Sequence, residues 1–565
     1  MTASAVDPLR VPRFRALWAA SVVSNLGSFL QAVAAAWLML ELTGSPLWVA
    51  AMTASSTLPL LFFALLAGAL ADLFDRRRLL LGAQAVMGLA ATAMAVLHWL
   101  DLLTPWSLLA LGLLLGTGLA FNMPAWQAMV PDLVPRGMVA SAVALNSVAF
   151  NVARAVGPAL GGIVVALWGA GVAFAANALS FLAVIVVIWS FGGQYRSDEP
   201  STVGAAVAGG IRYARYTPAF RLLLLVAAGF AVTSAVVQAV LPNFIRDELG
   251  GDATMYGLLL GAMGAGALTG AFTRAPATTR LGALTVPVSM AAFGVTGVLV
   301  GLSPNVFVAL LPMAASGLFW VWTLSTLNAT VQLLAPAWVR GRAMSLYMLA
   351  FTGILPLGSL LAGVVADVAG TPTSIVSLSA VGIIFGLWVL RLPVPSLAEA
   401  TAFDHEGDFT PPPHVENVLG SPVMILNTWV IAEEDLEDFL ATMREIRLMR
   451  LRTGALRWRL YRNVEDAKRM TEIIVVSSWE AHLVQHRRMD RPASDLIRRA
   501  RAFDAEGDPV TRHLAAIDVT DPEHFPGWDE LFPTEGHEAM HDTDGSIPLT
   551  TGSERPPSGQ RDVRP

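Results

Sequence analysis

Cysteine is absent from the chain, so no disulfide, thiolate metal site or cysteine nucleophile is available. Charge is scarce as well. Only 14% of the 565 residues are Asp, Glu, Lys or Arg, against about 25% in soluble domains. A soluble chain of this length would form several domains, each with a polar surface to cover, and the charge needed for that is missing. Hydrophobic residues make up 55% and the mean hydropathy is +0.58. This composition excludes a DNA-binding protein, a secreted disulfide scaffold and an ordinary cytosolic enzyme, and reads as a polytopic membrane protein. The net charge of −6 conceals two regions: 18 Arg against 12 acidic residues up to position 392, and 19 basic against 31 acidic residues beyond it.

Long apolar runs fill the first region. Twelve are long enough to cross a bilayer, which takes about 20 residues: 14–40, 46–71, 78–99, 105–130, 138–166, 171–191, 219–245, 254–273, 281–302, 305–334, 343–366 and 373–391. Lipid offers no partner for a free backbone N–H, so all must be helices. Arg10, Arg13 and Arg15 ahead of Ala32-Val33-Ala34 mimic a signal peptide, but the run continues to Leu42 and eleven more follow, which rejects that reading. Placing the N-terminus inside puts 16 Arg in inside segments and only Arg246 outside. By the positive-inside rule both termini are then cytoplasmic, in a multi-pass protein of the cytoplasmic (plasma) membrane.

The spans divide six and six. Gln127, Pro131 and Arg136-Gly137 recur as Gln332, Pro336 and Arg340-Gly341, and a Pro- and Gly-containing span follows in each half. Two related halves suggest a duplicated secondary transporter with its substrate site at mid-membrane. The expected organisation is a cytoplasmic N-terminus (1–13), a six-helix bundle (14–191), a central loop (192–218), a second six-helix bundle (219–391), a Pro-rich linker (392–421), a cytoplasmic α+β domain (422–520) and a disordered tail (521–565). Within the central loop, residues 211–216 read as a short basic amphipathic helix.

The loop after the second span carries Gly68, Asp72, Arg76 and Arg77. It resembles the loop motif of the major facilitator superfamily, with Leu73 and Asp75 at positions where that family has Arg and Gly. The resemblance implies a gating clamp. An ion pair between Asp72 and a neighbouring Arg is strengthened near a low-dielectric boundary, and forming or breaking it biases alternating access. Arg76–Arg78 also serve as plain topology anchors. The equivalent second-half segment, Gly266-Ala267-Leu268-Thr269-Gly270, lacks the acid, so the clamp should be one-sided. In the fifth span, Gly157, Pro158, Gly161 and Gly162 resemble the family's antiporter motif; small residues there also permit plain close packing of helices.

Arg154 is the only charge well inside a span. Intramembrane charges are costly and usually face a cavity, so Arg154 is expected to line the substrate pathway or to hold a structural pair there. The remaining candidates for a titrating group are Asp72 and Glu41. The remaining pathway candidates are Asn25, Gln31, Asn122, Trp126, Gln127, Asn151, Gln238, Asn328 and Gln332, with Asn146, Trp320 and Trp322 nearby. Amides and indoles around one cation suit a bulky amphipathic solute better than a sugar phosphate. Some of these amides are expected to be interhelical hydrogen bonds. The segments 24–31, 122–127 and 146–162 narrow the resemblance to the siderophore-exporter-like, transmembrane secretion effector branch of the superfamily. That implies efflux of siderophores, secondary metabolites or drugs, by antiport with H⁺ as coupling ion.

Beyond the linker, Val423–Ile431 reads as a strand, 433–451 as an amphipathic helix, Ala455–Tyr461 and Thr471–Ser477 as strands, and 479–489 and 493–503 as helices. The order β-α-β-β-α suggests a ferredoxin-like fold and resembles the dimeric α/β-barrel domains of monooxygenase type, which leaves self-association through this domain open. His482 and His486 lie four apart, but with no third ligand a metal site is not expected. The fold class is therefore an all-α polytopic membrane protein, twelve helices in a 6+6 pseudo-repeat of the major facilitator kind, plus a small ferredoxin-like α+β domain. The expected partners are a small-molecule substrate and the lipid bilayer, with no cofactor, no metal and no nucleic acid. Two alternatives are a membrane-anchored monooxygenase and an importer or sensor of the same fold. Twelve spans far exceed what an anchor needs, and no haem or flavin motif is visible.

Overall fold

The computed structural model describes residues 6–73, 75–190, 203–336, 338–397, 400 and 421–517. The expected linker prolines at 411–413, the start of the central loop and the 521–565 tail lie outside the described residues. The chain forms two compact units, one of residues 1–408 with 488–495 and the other of 409–487 with 496–565.

The first unit is helical: α1 (Pro12–Thr43), α2 (Pro46–Ser55), α3 (Leu58–Leu73), α4 (Arg76–Trp99), α5 (Pro105–Met129), α6 (Val139–Trp168), α7 (Ala170–Ser190), α8 (Val203–Tyr216), α9 (Pro218–Asn243), α10 (Ala253–Leu281), α11 (Thr285–Gly301), α12 (Val306–Leu334), α13 (Arg340–Phe351), α14 (Leu355–Ala369) and α15 (Thr371–Val389). Among the described residues, eleven helical runs are long and apolar enough to cross a membrane. One of them, Ala253–Gly301, has 49 residues and would extend about 74 Å as one helix. It turns instead at Gly282, whose φ of +53° favours glycine, and contains the expected eighth and ninth spans. Both parts pack on α12, but α10 also packs on α6 and α11 on α15.

Two spans expected to be continuous are broken. The second divides between α2 and α3, and the eleventh between α13 and α14. Pro59 and Pro356 each lie at the second position of the following helix. Each lacks the N–H that would continue the ladder and disfavours helix at the residue before it. The broken spans pack on each other, α2 on α14 and α3 on α13, so the two breaks serve one joint between the halves. The segment Gly266–Gly270, expected as a loop, lies inside α10, where Gly266 and Gly270 meet the α12 backbone at Ala314 and Leu318.

Exposed large apolar side chains are numerous, including Leu89, Leu179, Phe272, Leu311 and Val368, far more than a water-facing monomer shows. Exposed Trp99, Trp106 and Trp168 stand near one end of the bundle and Trp189 and Trp388 near the other, as interfacial belts do. The arginines concentrate at one end, where the first helix begins; the opposite end is arginine-poor. Near the arginine-poor end a single apolar core joins both halves, including Trp37, Leu40, Val49, Tyr256 and Ala366. Near the arginine-rich end the first half has a separate core of its own around Phe14, Leu17, Leu80, Met129 and Val184.

The second unit is a four-stranded antiparallel sheet with β1 (Val423–Val430), β2 (Arg457–Arg462), β3 (Arg469–Val476) and β4 (Val510–Ala515) in the order β2-β3-β1-β4. The helices are α16 (Leu436–Thr453), α17 (Trp479–Arg487) and α18 (Arg491–Arg501). Phe439, Met443 and Ile446 of α16 are buried, as their spacing predicts. The sequence order βαββαβ with this strand order is ferredoxin-like. Strand β4 was not expected from sequence. Its residues are exposed along its whole length, so no apolar alternation marks it, and only pairing with β1 makes it a strand.

Candidate transport pathway

Four side-chain hydrogen bonds join the halves among the described residues, all at the arginine-poor end. Ser45 Oγ donates to Asp367 Oδ1 at 3.0 Å and the Leu47 N–H to the same oxygen at 3.5 Å. Asn243 Nδ2 donates to the Gly44 carbonyl at 3.2 Å, and Arg246 Nη1 to the Leu40 carbonyl at 3.1 Å. The signs match the helix ends. A carboxylate of the second half meets the N-terminus of α2, and a guanidinium meets the C-terminus of α1, each complementing the local dipole. Trp37 stacks on Tyr256 beside them, with centroids 6.2 Å apart. Arg246, the one exception to the arginine asymmetry, thus has a job at the joint.

Helix α6 carries the Gly157-Pro158-Ala159-Leu160-Gly161-Gly162 segment between two neighbours. On one side Gly157 and Gly161 meet Phe29 and Leu30 of α1. On the other, Gly162 faces Gly257 of α10 so closely that a Cβ on Gly257 would lie 2.5 Å from the Pro158 carbonyl. The small residues therefore let α6 bear on its own half and on the other half at once.

One helical turn toward the arginine-rich end lies Arg154. It is half-buried, and its guanidinium carbon stands 3.7 Å from the ring centroid of Trp320 on α12. Helices α6 and α12 share no extended packing among the described residues, so the side chain crosses between the halves to reach the indole. Trp320 in turn packs on Phe351, and Phe351 on Phe230. On the α6 side Phe150 pairs with Phe29 at 5.7 Å.

The expected amides separate into groups. Gln31 is buried; it accepts from Asn177 Nδ2 at 2.5 Å and contacts Met94 Sδ at 3.2 Å, a network inside the first half. Asn122 accepts from Gln84 Nε2 at 3.0 Å. Asn151 donates to its own helix at Ser147, and Gln332 to Asn328 at 2.6 Å. Trp126 packs into the first half's separate core, and Trp322 Nε1 donates to Gly270 and Thr273 of α10. Asn25 and Gln238 are half-buried, while Gln127 is exposed. Sequence reasoning missed Gln84, Asn177, Asn243 and Asp367; partners in another helix carry no local signal.

The expected clamp loop is shorter than it reads, because α3 runs to Leu73 and α4 begins at Arg76. Gly68 and Asp72 lie within α3, and their side chains are outside the described ones. Asp75 caps α4 by accepting from the Arg77 N–H at 2.9 Å. Arg77 donates to the Ile188 and Trp189 carbonyls at 3.1 and 2.6 Å, closing the C-terminus of α7.

Two six-span halves, joined through the second, fifth, eighth and eleventh spans with Arg154 of one reaching Trp320 of the other, define a secondary transporter of the major facilitator class. The chain belongs to the transmembrane secretion effector family, whose model matches residues 3–521. It is similar to the multidrug efflux pump Tap of Mycolicibacterium fortuitum, 29% identical over 386 residues, which are 66% of this chain and 94% of that protein. It is also similar to the staphyloferrin A transporter of Staphylococcus aureus, 25% identical over 362 residues, 62% of this chain and 89% of that one. Among solved structures, a POT family transporter in complex with 5-aminolevulinic acid shares the fold, with a TM-score of 0.56 at 13% identity, covering 67% of this chain and 95% of that one. The family comprises transporters, not enzymes.

Proposed function

We propose that the chain exports a bulky amphipathic small molecule across the plasma membrane by proton antiport, with both termini cytoplasmic. The orientation rests on the arginines, 16 at one end against Arg246 at the other. The observation that carries the reading is the uneven joint among the described residues: a shared core and four inter-half hydrogen bonds at the arginine-poor end, and a separate first-half core at the other. With the arginine-rich end cytoplasmic, this is the state that receives a solute from inside. Efflux relatives and the Gly157–Gly162 packing support export over import. Asp72 with Arg76 is the candidate clamp for the opposite state, and Asp72 and Glu41 are the candidate proton carriers. Glu41 accepts from Trp37 Nε1 at 2.9 Å.

Everted membrane vesicles test this directly. The full chain should drive uptake of lipophilic dyes, a macrolide or a siderophore when the lumen is acidified, and collapsing the gradient should abolish it. No gradient-driven movement of any of these, in a well-inserted protein, would sink the exporter reading. The sheet domain is proposed to be accessory: a chain ending at Ser396 should keep substantial efflux at matched expression, and complete loss would make the domain an obligatory part of the machine.

A further inference from the structure

We propose that Arg154 selects solutes carrying one anionic head group on an apolar body, a reading that rests on the transport function above and deepens it. A guanidinium offers five N–H donors in one plane and no acceptor. The indole of Trp320 covers one face of that plane at 3.7 Å and leaves the edge. Among the described residues Arg154 makes no ion pair, and no side-chain hydrogen bond engages its donors. Among the described residues no acid stands beside it either. Of the described acidic side chains before position 392, Glu41, Asp101, Asp247, Glu248, Asp252 and Asp367 lie at the arginine-poor end, and Asp7 and Asp75 at the arginine-rich end.

A charge held between helices without an opposite charge is costly. The Trp320 face recovers part of that cost through its quadrupole while leaving the donor edge open, so an incoming carboxylate can bind it in the bidentate, charge-assisted mode. Phe150, exposed, and Phe29, half-buried, pair beside α1 on the α6 side and are placed for the apolar body, while buried Phe351 and Phe230 back Trp320 from the core. Because α6 and α12 belong to different halves, an anion on Arg154 would sit where the halves separate. A cationic amphiphile would be repelled at the same point.

Three probes with one body and different heads separate the alternatives: pyrenebutyrate, pyrenebutanol and pyrenebutyl-trimethylammonium. Binding to the purified full chain in nanodiscs is read by energy transfer from tryptophan to pyrene, and transport separately in proteoliposomes. The wild type should bind the anion at least about tenfold more tightly than the alcohol, about 1.4 kcal/mol, and the cation most weakly. Arg154→Gln should erase the anion's advantage and leave the alcohol within twofold. Arg154→Lys should keep part of it, a point charge without the planar fork. Equal affinity of the wild type for all three heads, or equal loss of anion and alcohol in both variants with a normal melting temperature, would overturn the proposal. The two arms also keep the readings apart. An Arg154-dependent preference in binding without outward movement upholds this inference and counts against export; outward movement indifferent to head charge does the reverse.

Discussion

Arg450 in the sheet domain and Arg154 in the membrane unit are both withdrawn from water, and their surroundings are opposite. Arg450 lies 3.5 Å from the carboxylate of Glu472, whose side chain is fully buried. Glu472 also accepts from Asn427 Nδ2 and Trp458 Nε1, each at 2.7 Å. Three strands and a helix converge on one acid, so the charge is neutralised inside the fold. Arg154 has an indole face and no acid. A buried charge that serves the fold meets its opposite charge within the fold; one that meets none there is available to something that arrives later.

Removing the acid from the paired site should have the largest effect. Glu472→Ala strands Arg450 in the sheet domain's interior and should cost about 3–5 kcal/mol, read as lost amide protection in β1 and β3 by hydrogen exchange on the full chain. Protection equal to wild type would show that the pair is not structural. The joint at the arginine-poor end comes next. Asp367→Asn and Arg246→Gln should each weaken it by about 0.3–1 kcal/mol, moving the state populations a few-fold. The cysteine-free chain makes this measurable. Val49 is fully buried in α2, the helix that packs on α14, and a Val49→Cys reporter should label faster in either variant; unchanged labelling would remove these contacts from gating.

Acidification should act more weakly, and on the sheet domain. His482 and His486 have their Nε2 atoms 3.2 Å apart, and His513 lies beside them with its ring 5.1 Å from that of His482. Desolvation, then the neighbouring charges, depress His482 to about 4 and His486 to about 3. The unfolded chain takes up protons near pH 6.5 and the folded one does not, so stability is full above that value and declines as pH falls toward the folded values. A thermal midpoint for this domain that is lower at pH 5 than at pH 7 is expected, and His482→Gln should reduce the difference; an unchanged midpoint would mean that the imidazoles are freely hydrated. The smallest effect should be that of Arg154→Gln on folding itself. With no fold-internal acid to strand, its effect should be within about 0.5 kcal/mol. A large drop in melting temperature would place Arg154 in the structural class with Arg450.

Parts of this arrangement were legible from residues alone. The spans and the arginine asymmetry were, because the bilayer imposes length and charge rules on each segment separately. Arg154 stood out because an ionised side chain in an apolar run is conspicuous without any partner. The breaks at Pro59 and Pro356 carried a local signal that reading the spans as continuous passed over. The amides were read less well. Gln31 and Asn122 look identical to cavity groups in the sequence, and their assignment to interhelical bonds depends on Asn177 and Gln84, 146 and 38 positions away.

The sequence by itself determined that the chain crosses a membrane many times, in two related halves, with one deep cation and a small α+β domain after the last span. These follow from hydropathy, periodicity and charge, which act over a few neighbouring residues. Tertiary structure decided which end of the bundle is joined, that Arg246 and Asp367 serve helix ends of the opposite half, that exposed β4 completes the sheet, and that Trp320 rather than a carboxylate meets Arg154. Each of these depends on atoms distant in the chain coming within a few ångströms, and the free energy of such a contact exists only once both helices or strands are packed.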